Sequence, residues 1–209
     1  MIKKNTKQEI LNMALNLFST HGYEATSILQ IADAVGIRKA SLYSHFNSKQ
    51  EILDAIINNV LEQYNHHSIF AVAAWDNPSF TNDKLNMRVD DAVQMILSHV
   101  HYILHDPQIV QSRKLLTIEQ FQNVKLKNLQ TKMNYTDVLN YFKGFIRFLI
   151  DHKKLKNGDV EIMASQLCLP ISVWINLCDR EPDREEEVLK LIKRHIQEFF
   201  NIYEFKNND

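Results

Sequence analysis

Residues 26 to 46, TSILQIADAVGIRKASLYSHF, constrain the fold of this chain most, because their spacing makes two short helices meet across a tight turn. Ile28, Ile31, Ala32 and Val35 fall at i, i+3, i+4 and i+7, which puts four apolar side chains on one helical face. Leu42 and Phe46, an i, i+4 pair, do the same for a second helix. Ser27 and Gln30 read as a capping box, each side chain satisfying a backbone N–H left open at the helix start. Gly36 follows the last periodic residue, where a left-handed backbone costs a glycine little. Ala32 lets the two helices approach closely, and Ile37 and Leu42 plug the corner between them.

The outward set of the second helix is Arg38, Lys39, Ser41, Tyr43, Ser44 and His45. All of these side chains can donate hydrogen bonds to phosphate oxygens or base edges, and none is acidic. A helix-turn-helix sets such a face in the DNA major groove; a solvated face on an ordinary helical corner would have the same composition. The DNA reading gives Tyr43, His45 and Lys49 to phosphates and Lys39, Ser41 and Ser44 to base edges. Charge is segregated to match. Residues 1 to 50 carry six Lys or Arg and three acids, a net +3, whereas the remaining 18 bases and 22 acids give -4. Local positive charge supplies affinity by displacing the counterions of the phosphates.

This stretch resembles the DNA-binding domain of the TetR family of bacterial transcriptional repressors. The resemblance rests on Phe18, Gly22-Tyr23, Thr26-Ser27, Ile31-Ala32, Val35-Gly36-Ile37, Ser41-Leu42-Tyr43-Ser44-His45-Phe46 and Lys49, and it covers residues 7 to 58. It implies a homodimeric repressor of a near-palindromic operator, released by a small effector, and it adds Thr26 and Ser27 to the DNA-contacting set. Arg38 departs from the pattern, since the family often has a Ser or Thr capping the third helix there. The cap must come from elsewhere, and Arg38 is available to the DNA backbone. By the same resemblance the helix over residues 49 to 66 transmits the effector signal, and the last two helices dimerise.

Four Gly, four Pro and long periodic stretches predict an all-α chain: a DNA-binding domain over residues 1 to 50 and an effector-binding and dimerisation domain over residues 51 to 209. The longest uninterrupted apolar run is far short of the roughly 18 residues of a membrane span, and the N-terminus has no apolar signal core, so a cytoplasmic protein without a membrane partner is expected. Cys168 and Cys178 form no CxxC pattern and read as buried thiols.

Ile10, Ala14, Leu17 and Phe18 make a first helix over residues 7 to 21, preceded by a basic arm of Lys3, Lys4 and Lys7. Ser48 and Glu51 read as a second capping box opening the helix of Ile52, Ile56 and Val60. A turn is expected at residues 76 to 78, then a helix carrying Val89, Val93, Ile96, Val100 and Ile103 that ends near residues 106 and 107. His101 and His105 have a spacing that can hold a metal on one helix, yet no third ligand lies nearby in sequence, so solvated histidines and no metal are expected.

Residues 108 to 120 read as a short helix, and residues 126 to 155 as one long aromatic helix. Their bulk surrounds an effector cavity or simply fills the core; on the first view Arg113, Phe121, Tyr141, Phe142, Phe145 and Phe148 contact a flat or greasy ligand, with Arg113 or Lys114 pairing an acid group. Asp159 caps the next helix, which bends at Pro170, and Asp183 with Glu186 caps the last. The two stripes of Met163, Leu167, Ile171 and Trp174 and of Val188, Ile192, Phe199 and Tyr203 are wider than one partner helix needs, so they are expected at a dimer interface. A phosphate-cradling Gly-rich loop, HExxH, GxSxG and an inward pair of carboxylates are all missing, so neither a catalytic set nor a cofactor is expected. The competing classes are a DNA binder of the same fold that needs no effector, and a helical enzyme or adaptor.

Overall fold

Apolar side chains at helical spacing, with little Gly or Pro to interrupt them, drive the chain into helices. The computed structural model describes residues 5–72, 75, 77, 81, 84 and 87–205, and they are all-α, with no β-sheet among them. The helices are α1 (Thr6–His21), α2 (Ile28–Val35), α3 (Lys39–Tyr43), α4 (Lys49–His67), α5 (Ile69–Val72), α6 (Val89–His105), α7 (Pro107–Glu119), α8 (Val124–Thr131), α9 (Asp137–Asp151), α10 (Val160–Arg180) and α11 (Glu185–Tyr203). Lys3 and Lys4 of the expected basic arm, and Asp76 and Pro78 of the expected turn, lie outside the described residues.

The helices gather into two compact units, Met1–Ser68 with Pro107–Thr131, and Ile69–Asp106 with Lys132–Asp209. This differs from a boundary at residue 50. All of α4 belongs to the first unit, which also takes in α7 and α8 from the stretch assigned by sequence to effector binding. In this unit α1 packs on α2, α4 and α7, with Ile10, Ala14, Phe18, Ile31, Ala32, Ile52 and Leu53 fully buried. Each large apolar side chain so buried contributes roughly 1.5–3 kcal/mol. Ile56, Ile57 and Val60 of α4 meet Leu115 and Leu116 of α7 and Leu126 and Leu129 of α8, and Lys125 Nζ reaches Asp54 Oδ1 at 2.7 Å.

The second unit is centred on α9, which buries Val138, Leu139, Tyr141, Phe142, Phe145, Ile146, Phe148 and Leu149. Its core includes Ala92, Val93, Ile96 and Val100 of α6, five side chains of α10 from Met163 to Ile171, and Val188, Ile192, Ile196, Phe199 and Phe200 of α11. The long helix expected over residues 126 to 155 is broken. Between α8 and α9, Lys132–Thr136 forms a π-helical turn with no buried residue. Asn134, Tyr135 and Thr136, three weak helix formers in succession, leave that turn little propensity to stay α-helical. Asp159 caps α10 as expected, accepting from the Glu161 and Ile162 N–H groups, and Pro170 lies inside an uninterrupted helix. Asp183 does not cap α11. The N-cap is Arg184, without a side-chain cap, and its guanidinium clasps Glu187 and Glu181 instead.

The dimer seam read from the sequence also needs correction. Met163, Leu167, Ile171, Val188, Ile192 and Phe199 are buried in the chain's own core, and Trp174 and Tyr203 are half-buried. The stripes are wide because α10 and α11 each face more than one helix of the same chain. Outward on α10 stand Ile162, 53% exposed, and Val173, 63% exposed, with the half-buried Leu169 between them.

On α6, His99 sits edge-on to Phe70 with ring centroids 4.9 Å apart, and its Nε2 is buried with no hydrogen-bond partner among the described residues. Burial holds its pKa below the ordinary 6.5. The unfolded chain therefore takes up a proton near 6.5 that the folded chain refuses, so stability present above that pH is lost as pH falls below it. We expect urea-denaturation curves collected across this range to show a shallower pH dependence for His99→Leu than for the wild-type chain.

Candidate nucleic-acid interface

The corner forms as its residues dictate. Gln30 N–H donates to Ser27 Oγ at 3.2 Å, and Ser27 N–H donates to Gln30 Oε1 at 2.7 Å, closing the capping box. Gly36, at φ 76° and ψ 32°, ends α2 in the left-handed region, and the Ile37 N–H returns to the Ala32 carbonyl at 3.0 Å. The chain then turns straight into α3, whose N-cap Arg38 makes no side-chain cap bond. At α4, Ser48 Oγ accepts the Glu51 N–H, but the Glu51 carboxylate accepts from the backbone and side chain of Asn47 rather than from Ser48, so the second expected box is half formed.

α3 is two-sided. Leu42 is fully buried and Phe46, just beyond the helix, is 1% exposed; Arg38, Lys39, Ser41, Tyr43, Ser44 and His45 are all exposed. Lys39 Nζ stands 5.9 Å from the centre of the Tyr43 ring, and Ser44 Oγ donates to the Ser41 carbonyl at 2.7 Å. Lys7 Nζ lies over the Phe46 ring at 5.2 Å, which puts one cation of the expected arm beside the same corner. The exposed groups form a donor-rich surface on a helix held from behind by apolar packing.

Two of the residues assigned to DNA have internal partners. Thr26 is buried, and its hydroxyl donates to the Gly22 carbonyl at 2.9 Å. Lys49 turns back onto the loop between α1 and α2, where Nζ donates to the carbonyls of Tyr23, Thr26 and Glu24 at 2.8, 3.0 and 3.4 Å and lies 4.2 Å from the Tyr23 ring centre. An ammonium has three hydrogens, and here three carbonyls accept them. Ser27 is exposed but committed to the capping box.

Glu119 supports the corner and is not legible in the sequence. At the end of α7, and 7% exposed, it accepts the Tyr23 N–H on Oε1 at 2.8 Å, across 96 residues of sequence. Gln111 Nε2 donates to Asn16 Oδ1 at 3.3 Å and adds a second tie between α7 and α1. The Tyr23 hydroxyl donates to Gln50 Oε1 at 3.2 Å; burial first, then the charges of Glu24, Asp54 and Glu119, raise its pKa. No local pattern around Glu119 marks it, because its partner is a backbone N–H.

The effector set divides between the units. Arg113 is buried in the first unit, and Phe121 is 85% exposed, which removes it from any enclosed lining. Tyr141, Phe142, Phe145 and Phe148 are buried together in the second unit, with Trp75 within 5.2–5.9 Å of Tyr141, Phe145 and Phe148, and Phe70 5.2 Å from Tyr141.

The Lys49 geometry separates two roles. Replacing it with Met removes hydrogen bonds from a charged donor, so we expect a loss of about 1.5–3 kcal/mol of stability by urea denaturation. Salt titration of DNA binding should then give an unchanged slope for Lys49→Met and a slope flatter by about one unit for Arg38→Ala.

The family model for bacterial regulatory proteins of the tetR family matches residues 10–56. The HTH-type transcriptional repressor KstR2 of Mycobacterium tuberculosis is 28% identical over 132 residues, 63% of this chain, and the chain spans 64% of that relative's length. IcaR, the negative transcriptional regulator of the biofilm operon icaADBC in Staphylococcus aureus, is 36% identical over 75 residues, which are 32% of this chain and 40% of IcaR. Among solved structures, SmeT, the repressor of the Stenotrophomonas maltophilia multidrug efflux pump SmeDEF, superposes with a TM-score of 0.64 at 19% identity, covering 98% of this chain and 93% of SmeT. The capping box, the left-handed Gly36 and the exposed face of α3 all lie inside the segment, residues 10–56, that matches bacterial regulatory proteins of the tetR family, and the likeness of fold to SmeT continues beyond it.

Proposed function

We propose that the protein is a homodimeric transcriptional repressor that reads a near-palindromic operator with α3 and leaves it when a small apolar or aromatic effector binds. The observation that carries this reading is the two-sidedness of α3, whose Leu42 is locked in the core while its solvent face carries hydrogen-bond donors and no acid. Lys39, Ser41 and Ser44 read base edges; Arg38, Tyr43 and His45 hold phosphates. Lys49 and Thr26 act from behind by fixing the loop on which the corner sits.

Two readers are needed because one short helix contacts too few base pairs to find a single site in a genome. The outward stripe of Ile162, Leu169 and Val173 on α10 is the surface that supports pairing of two copies. The aromatic group of Tyr141, Phe142, Phe145 and Phe148 supports the effector part, with the buried Nε2 of His99 as a polar partner in the same unit. SmeT, of related fold, has been solved in complex with triclosan. An effector releases DNA only by binding the DNA-incompetent arrangement more tightly, and a typical coupling weakens operator binding about 5- to 150-fold. The signal reaches α3 through the grip of α7 on the loop at Tyr23 and through α4, which carries Lys49.

The test begins with a gel shift on the DNA upstream of the chain's own gene. The wild-type protein should shift one segment specifically, and Lys39→Ala should lose roughly 1–3 kcal/mol of discrimination at particular base pairs while still binding DNA in general. Absence of any sequence preference in the wild-type protein would end the operator reading. Sedimentation separates the dimer from the monomer: Val173→Glu, a change on an exposed site, should remain helical by circular dichroism, sediment as a monomer and lose operator affinity.

A further inference from the structure

We propose that His101, His105 and Glu185 form a binding site for a divalent transition-metal ion joining the last turn of α6 to the first turn of α11. The sequence supplies the two histidines one turn apart and offers no third ligand close by; the fold brings it from 80 residues away. His105 Nε2 lies 2.9 Å from Glu185 Oε1, and the His101 and His105 ring centroids are 4.2 Å apart. One ligand atom from each of the three residues lies within 4.8 Å of the other two. Around an ion with metal–nitrogen and metal–oxygen distances of about 2.0–2.2 Å, tetrahedral ligand atoms stand about 3.3–3.6 Å apart, so closing the site takes a side-chain adjustment of about 1.5 Å or less. Both imidazoles are exposed and can turn that far without disturbing the core.

The carboxylate is also available. Glu186 pairs with Lys190 and Glu187 with Arg184, whereas Glu185, half-buried, faces His105. Setting a second imidazole beside the pair of His105 and Glu185 exceeds what that surface contact needs, since a single imidazole suffices for it. Two imidazoles and one carboxylate suit Zn²⁺, Ni²⁺, Cu²⁺ or Co²⁺ in preference to Mg²⁺ or Ca²⁺, which favour oxygen ligands throughout. Water completes the coordination. Cys168 and Cys178 are buried and take no part. Both helices belong to the second unit, so the bound ion braces that unit, independently of whether the chain reads an operator.

The experiment uses the full-length chain without a histidine tag, metal-free, titrated with Zn²⁺ by calorimetry and with Co²⁺ by visible absorption. Expected are one saturable equivalent per chain, a higher thermal midpoint, and a Co²⁺ spectrum without a thiolate charge-transfer band. His101→Ala, His105→Ala and Glu185→Gln should each weaken Zn²⁺ binding by about tenfold or more, with unchanged circular dichroism. His152→Ala, a change on α9's far cap, should bind as the wild-type chain does. A wild-type chain with no saturable Zn²⁺ binding, binding left intact in the His105→Ala and Glu185→Gln chains, or a thiolate band with Co²⁺ would each overturn the proposal and leave His105 and Glu185 as a plain ion pair.

Discussion

The ammonium of Lys49 lies against the carbonyls of Tyr23, Glu24 and Thr26 and the face of the Tyr23 ring, and that contact ties α4 to the loop from which the corner starts. The loop there leaves α1 and enters α2 over six residues, and the carbonyls of Tyr23, Glu24 and Thr26 lie outside the ladders of both helices. A single charged donor on α4 gathers three of them. A cation surrounded by backbone dipoles and a ring face loses less of its hydration energy than one buried in apolar surroundings, which makes the arrangement tolerable at a half-buried site. With that loop fixed, Ser27 and Gln30 start α2 at a set direction, Gly36 turns the chain, and α3 emerges with Leu42 inward.

Glu119 holds the same loop as well. Its carboxylate accepts the Tyr23 N–H while Lys49 takes the Tyr23 carbonyl, so one peptide segment is held between a negative group on α7 and a positive group on α4. A charge-assisted hydrogen bond is roughly twice as strong as a neutral one, and this pair is made by two different helices. In the proposed mechanism, then, movement of either helix reaches the recognition surface through a few ångströms of backbone, with no long chain of intermediates.

Much of the corner was legible because its causes are local. The capping box, the left-handed glycine and the i, i+4 pair of Leu42 and Phe46 each involve residues within a few positions of one another, and the structure contains all three. The internal partners of Lys49 and Thr26 are not legible for the opposite reason: they are carbonyls, which every residue owns and no residue letter reveals. Glu119 and Glu185 lie 96 and 80 residues from the groups they meet, a distance that only the fold closes. The apolar stripes of α10 and α11 announced burial correctly, but a stripe does not say whether its partner is another copy or the same chain, and Phe199, at 4% exposed, belongs to the latter case. The periodicity of Val138, Phe142 and Phe145 predicts one continuous aromatic helix, and the weak helix formers of the π turn are where that periodicity stops.

The discontinuity of the first unit limits how far it can be treated as an interchangeable part. The chain builds α1 to α4, leaves, and returns with Pro107–Thr131 to supply Glu119, Leu115, Leu116, Leu126 and Leu129. A transplant of residues 10–56 alone into a relative would strip the Tyr23 N–H of its acceptor and leave Ile56 facing another protein's α7 and α8. Exchanging operator preference between relatives is therefore a two-segment operation. The residues at 107–131 that pack on α1 thus support the corner although they fall outside the matched segment.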